Sequence, residues 1–106
     1  MSNENPSPVL SLLGLARRAG RLSPGFDAAA ESIKRGTAKV VLLAGDVSPR
    51  TAKKIEAAAV QSGVPVCRLV ETMQQAGAAI GKKSAGVLAV NDDGFARKLS
   101  ALCAAQ

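Results

Sequence analysis

The chain has 106 residues, 47% hydrophobic and 21% charged, the size and balance of one globular domain rather than of a disordered chain. Its 14 Lys and Arg outnumber 8 Asp and Glu, for a formal charge of +6; a small basic domain without a secretion signal reads as a cytoplasmic partner of a polyanion. The absence of His excludes Ser-His-Asp and Cys-His catalysis and His-ligated metals, and apolar runs such as VVLLAG and AGVLAV fall far short of the roughly 20 residues a membrane-spanning helix needs.

Residues 1–7 (MSNENPS) are polar and predict a disordered tail, leaving 8–106 as a single domain. Pro8 to Ala19 predicts a helix. Ser7 suits its cap and Pro8 its first position, while Val9, Leu12, Leu13 and Ala16 recur at helical spacing. Arg17 and Arg18 fall in the last turn, where cations oppose the helix dipole, and Gly20 stops it. RLSPG predicts a brief strand and a turn. Gly25 to Arg35 predicts a second helix, with Phe26, Ala29, Ala30 and Ile33 on the inward stripe and Asp27, Glu31 and Lys34 opposite; Gly36 ends it.

Val40 to Ala44 is an unbroken apolar run, which suits a strand covered on both faces. Ser48 and Pro49 open a third helix reaching about Ser62, with Ile55 and Ala59 inward and Arg50, Lys53 and Lys54 outward. Val64 to Val70 predicts a strand whose Pro65 belongs at its start or on an edge. Thr72 caps a short helix to about Ile80, and the basic loop Gly81-Lys82-Lys83-Ser84 follows. Gly86 to Val90 predicts a last strand. Asn91 or Asp92 then caps a helix with Phe95, Leu99, Leu102 and Cys103 in one stripe. Strands alternating with helices argue an α/β domain with a central sheet between helical layers.

Little in the chain points to catalysis. Asp92-Asp93 precedes FARKL and reads as a helix cap rather than a carboxylate pair. Cys67 and Cys103 are too few for a four-cysteine zinc site or a disulfide framework and read as small core residues. GLARRAG lies inside a predicted helix, which is the wrong context for dinucleotide binding. GKKS lacks the first glycine of a phosphate-binding loop, since Ala76 occupies that position. No acid, base and nucleophile converge, and neither metal nor cofactor is expected. Two Phe with no Trp or Tyr are too few for a base-stacking platform. The basic clusters say more. Arg17, Arg18 and Arg21 stand at the end of the first helix, Lys34, Arg35 and Lys39 at the end of the second, and Lys82 and Lys83 in the loop. Solvated surface charge explains each singly; together they predict a positive surface.

The stretch LGLARRAGRLSPGFDAAAESIKRGTAKVVLLAGDVSP, followed by GVPVCRLVETMQQAGAAIGKKSAGVLAV, resembles the kink-turn RNA-binding ribosomal-protein family, of archaeal L-seven-Ae and eukaryotic L-thirty-e type. Within it the sequence is most similar to the bacterial YlxQ-like branch, which often ends in a segment like NDDGFARKL. The resemblance covers roughly Val9 to Leu99. It implies a three-layer α-β-α sandwich with a mixed four-stranded sheet, and a surface for sharply bent RNA. A kink opens a groove that A-form RNA keeps too narrow for side chains, and a helix start offers backbone donors to phosphate.

Carried over by position, the RNA-binding motif begins at Gly25 and Phe26. Asp27 stands where the family has Asn or an acidic residue, Ala28 where it has Glu, and Glu31 where it has Lys. Arg35 matches a later basic residue. Asp46 falls in the loop after the second strand, and Gly81 to Ala85 in a base-covering loop that carries Lys82-Lys83 where archaeal relatives are apolar. Ala28 has no polar group with which to read a base. Glu31 cannot donate to guanine O6 or N7, although it can accept from guanine N1 and N2. Lysines in the covering loop suit phosphate better than a base face.

The resemblance thus implies a non-catalytic, ribosome-associated, monomeric RNA-binding protein with ribosomal proteins as further partners and no membrane contact. Gly25, Phe26 and Asp27 would position the helix end, Lys34 and Arg35 would contact phosphate, and Lys82, Lys83 and Ser84 would grip the backbone. Phe26, on the inward stripe, is expected in the core rather than stacked on a base. The alternative is a protein-interaction module on the same fold, with Glu31 marking the loss of RNA reading.

Overall fold

The computed structural model describes residues 7–106. The tail expected over 1–7 lies outside them except for Ser7, which belongs to the fold: its hydroxyl oxygen accepts the Leu10 N–H at 3.0 Å and opens the first helix. Nine elements follow among the described residues: α1 (Pro8–Arg18), β1 (Leu22–Pro24), α2 (Phe26–Arg35), β2 (Val40–Leu43), α3 (Pro49–Gln61), β3 (Val66–Arg68), α4 (Met73–Ala79), β4 (Val87–Val90) and α5 (Asp93–Ala104). Local chemistry sets most boundaries. The Ser48, Thr72 and Asp92 side chains accept the Thr51, Gln75 and Phe95 amides, each satisfying a helix-start donor that would otherwise lack a partner.

The strands form one mixed sheet in the order β1-β4-β2-β3. β2 and β3 run parallel; β4 pairs antiparallel with β1 and with β2. Helices α1, α4 and α5 cover one face, α2 and α3 the other. The two central strands are buried at every residue. Val40, Leu42, Leu88 and Val90 face the α1/α4/α5 layer, whereas Val41, Leu43, Val87 and Ala89 face α2 and α3. Burial on both faces is why VVLL and VLAV read as unbroken apolar runs. The third strand is shorter than its sequence predicts, because it is an edge: Pro65 offers only its carbonyl, which accepts the Val41 N–H at 2.9 Å, and Val70 is exposed.

The cysteines depart from expectation. They are not two separate core residues but a disulfide, Cys67–Cys103, joining β3 to α5 with Cα atoms 6.5 Å apart. Helix α5 packs over the edge strand and so brings together residues 36 positions apart in sequence.

Candidate nucleic-acid interface

The strand directions bring three chain junctions together at one end of the sheet, beside the turn from β3 into α4. Pro24 at the end of β1 pairs with Leu88, and Leu43 at the end of β2 pairs with Val87 at the start of β4. Here β1 leads through Gly25 into α2, β2 leads through residues 44–48 into α3, and the loop 81–86 enters β4. Two bonds tie the junctions together. The Gly25 N–H donates to the Val87 carbonyl at 2.7 Å, and the Ala44 N–H to the Gly86 carbonyl at 2.9 Å.

Gly25 adopts φ +96°, ψ 159°, a region that glycine alone enters without strain. It brings no side chain to cap α2. The other four helices among the described residues each have a side-chain cap, so only α2 starts with no side chain over the amides of its first turn. Asp27, Ala28 and Glu31 are all exposed along this helix. Phe26 corrects the sequence reading: it is 37% exposed rather than packed in the core. It is the first residue of α2, at the very start of the inward stripe rather than within it, and so is only partly covered.

The second junction is held by Asp46, whose Oδ1 accepts the Met73 N–H at the start of α4. In the third, the Lys82 N–H donates to the Gly77 carbonyl at 2.8 Å and the Ala85 N–H to the Met73 carbonyl at 2.9 Å. Gly77 lets this loop lie directly on α4, since a Cβ there would stand 2.5 Å from the Ser84 Cα. Gly81, Lys82, Lys83 and Ser84 are exposed. A cleft of about 320 Å³ opens between the junctions, lined by Phe26, Asp46, Val47, Met73, Gly86 and Val87 among others. Sequence reasoning missed the last four. Gly86 and Val87 directly follow the loop it did identify, whereas nothing in local spacing links Met73 or Val47 to Gly25. A larger cleft, about 620 Å³, runs between α1 and α4 past Leu10, Gly14 and Ala78, apart from these loops.

Lys34 and Arg35 do not join this group. They occupy the last turn of α2, and Arg35 lies about 12 Å along the helix axis from Asp27 at 1.5 Å per residue. The sequence's positive surface is therefore divided: Arg50, Lys82 and Lys83 belong to the junction end together with Asp27 and Asp46, while Lys34 and Arg35 belong to the opposite end.

Residues 8–100 match the family model described as the ribosomal protein L7Ae/L30e/S12e/Gadd45 family. The chain belongs to the L7Ae/L30e family. It is 43% identical over 91 residues to the RNA-binding protein YlxQ of Bacillus subtilis, covering 86% of this chain and 90% of that protein. It is 30% identical over 83 residues to the large ribosomal subunit protein eL30 of Aeropyrum pernix, covering 77% and 83% respectively. A solved structure of a protein of unknown function from Bacillus halodurans superposes with a TM-score of 0.86 at 38% identity, covering 92% of this chain and 98% of that one. The three-layer sandwich with its mixed four-stranded sheet is thus the fold that the L7Ae/L30e resemblance implied. No helix among the described residues of this L7Ae/L30e member is long and apolar enough to cross a membrane.

Proposed function

We propose that the chain is a non-catalytic RNA-binding protein that docks sharply bent, kink-turn-like RNA on the junction end of its sheet, as a cytoplasmic, ribosome-associated monomer. The observation that carries this is the joining of three loops through Gly86 and Val87 around a helix start with no side-chain cap. The amides of Phe26, Asp27 and Ala28 offer donors to phosphate or to base edges. Asp27 and, one turn on, Glu31 accept from guanine N1 and N2. The exposed ring of Phe26 gives an unstacked base an apolar face. Lys82, Lys83 and the Ser84 hydroxyl hold phosphates, while Asp46 acts indirectly by fixing the start of α4 against the β2–α3 loop. The names of the relatives agree: one is an RNA-binding protein and another a large-subunit ribosomal protein.

The test is fluorescence anisotropy with a kink-turn RNA and a straight duplex of equal length across a salt series. The kink-turn RNA binds more tightly. If about four phosphates are engaged, log affinity falls against log salt with a slope of roughly −3 to −4. Equal affinity for the two RNAs, or none for the kink-turn at low salt, overturns the reading. In the second case a nuclease-insensitive protein partner would favour the interaction-module alternative.

A further inference from the structure

The end of the sheet opposite the junctions carries more positive charge than the junction end. Strands β1 and β2 both begin here, with Leu22 and Val40 each paired to Val90. The Arg21 carbonyl accepts the Asn91 N–H at 2.9 Å, and the Lys39 N–H donates to the Val90 carbonyl at 2.7 Å. Arg21 and Lys39 therefore flank the end of β4 from either side, roughly 10 Å apart at the usual strand spacing. Arg17 and Arg18 form the last turn of α1, which folds directly onto Arg21 through the Arg21 N–H to Ala16 carbonyl bond at 2.9 Å. Lys34 and Arg35 form the last turn of α2, and the Thr37 and Ala38 amides both return to the Ser32 carbonyl, turning the chain toward Lys39. All six cations are exposed.

Helix-end compensation does not use up this charge. Two helix C-termini present about half a negative charge each, together about one. Asp92 and Asp93 at the start of α5 add two more, and the Asp92 carboxylate is occupied by the Phe95 N–H. About three positive charges remain in excess. Four of the six cations are arginines, whose planar fork matches phosphate in a bidentate fashion. The residues between them, Ala19, Gly20, Gly36 and Thr37, are small. No aromatic or large aliphatic anchor of the kind that centres a protein–protein interface is among them. Such a surface suits sequence-independent contact with a nucleic-acid backbone. About 10 Å of duplex axis carries roughly six phosphate charges, comparable with the cations available.

We propose that this pole is a second phosphate-binding surface that takes a separate RNA duplex, so that one chain joins two RNA segments. The two poles lie at opposite ends of the same strands, and the path between them along α2 passes Asp27 and Glu31, which repel a backbone; hence the second segment is a separate one. Duplex binding at this pole stands on its charge alone, whereas the joining of two RNAs also rests on the kink-turn reading above.

The test uses the full chain, a 20-base-pair RNA duplex without internal loops, and a kink-turn RNA. The variants are R17Q/R18Q/R21Q and K34Q/R35Q/K39Q, each checked for an unchanged circular dichroism spectrum. Each triple variant is expected to lower duplex affinity at least tenfold and to flatten the salt slope by about 0.9 for every phosphate no longer neutralised, while kink-turn affinity changes less than threefold. Energy transfer between a donor-labelled kink-turn RNA and an acceptor-labelled duplex appears with the wild-type chain and disappears with either variant. Unchanged duplex affinity in both variants, one-for-one displacement of the kink-turn RNA by the duplex, or tighter binding of polyglutamate than of the duplex overturns the proposal. Loss of kink-turn binding with duplex binding intact overturns the junction-end reading and leaves this surface standing.

Discussion

Asp46 Oδ1 accepts the Met73 N–H at 2.8 Å across 27 positions of sequence. The same Met73 accepts the Ala85 N–H through its carbonyl, so one residue couples the β2–α3 loop to the loop bearing Lys82 and Lys83. Asp46→Ala removes the cap from Met73. It is expected to cost about 1 kcal/mol, as removal of other helix caps does, and to weaken kink-turn RNA binding several-fold although Asp46 need not touch the RNA. Chemical denaturation and anisotropy on the same variant check both parts.

Gly25→Ala places a Cβ on backbone at φ +96°. The space around it is open, so the penalty comes from conformation alone, about 1–3 kcal/mol. A drop in denaturation midpoint together with at least tenfold weaker kink-turn binding is expected.

Phe26→Ala affects folding and binding to different extents. The residue is 37% exposed and otherwise covered, so its truncation is expected to cost about 1–2 kcal/mol of stability through lost apolar burial. Stacking of a base on an aromatic ring is worth about 1–3 kcal/mol, and anisotropy reads its removal as roughly a tenfold or greater fall in affinity.

Gly77→Ala drives a Cβ into the backbone of Ser84. The loop has to lift, at an overpacking cost of about 1–3 kcal/mol. Hydrogen exchange is expected to speed up at Lys82 and Ala85, whose amides bond to Gly77 and Met73 in the native chain, and much less in β2.

Reduction, or Cys103→Ser, opens the Cys67–Cys103 link across 36 positions. A destabilisation of about 2–4 kcal/mol follows from the freed unfolded chain, visible as a lower Tm. Thiol titration of the unreduced, unfolded protein should find neither cysteine.

The elements were legible in the sequence because their signals are local. Ser7, Ser48, Thr72 and Asp92 each bond an amide three residues on, and VVLL and VLAV announce strands covered on both faces. What failed was information that local spacing does not hold. Helical periodicity put Phe26 on the inward face of α2 but did not show that, at the first position of the helix, it borders an open cleft. The expectation that Lys34 and Arg35 contact phosphate beside Gly25 came from net charge and the family resemblance, yet they lie in the last turn of α2, at the other end of the helix from Gly25. The pairing of Cys67 with Cys103 depends on α5 crossing an edge strand, which no pattern within either segment records. The arrangement of the sheet, and the motif position of Gly25, came from the family resemblance rather than from periodicity.

Strand β4 is only four residues long, yet its first residue anchors Gly25 and its last anchors Lys39. At about 3.3 Å per residue, the three steps from Val87 to Val90 hold these two anchor points roughly 10 Å apart. A shift of register by one residue would turn Val87 and Ala89 toward the wrong helices, so this distance cannot be adjusted gradually. Insertions that lengthen loops can reshape either end, but the spacing of these two anchor points behaves as a fixed ruler inherited with the core.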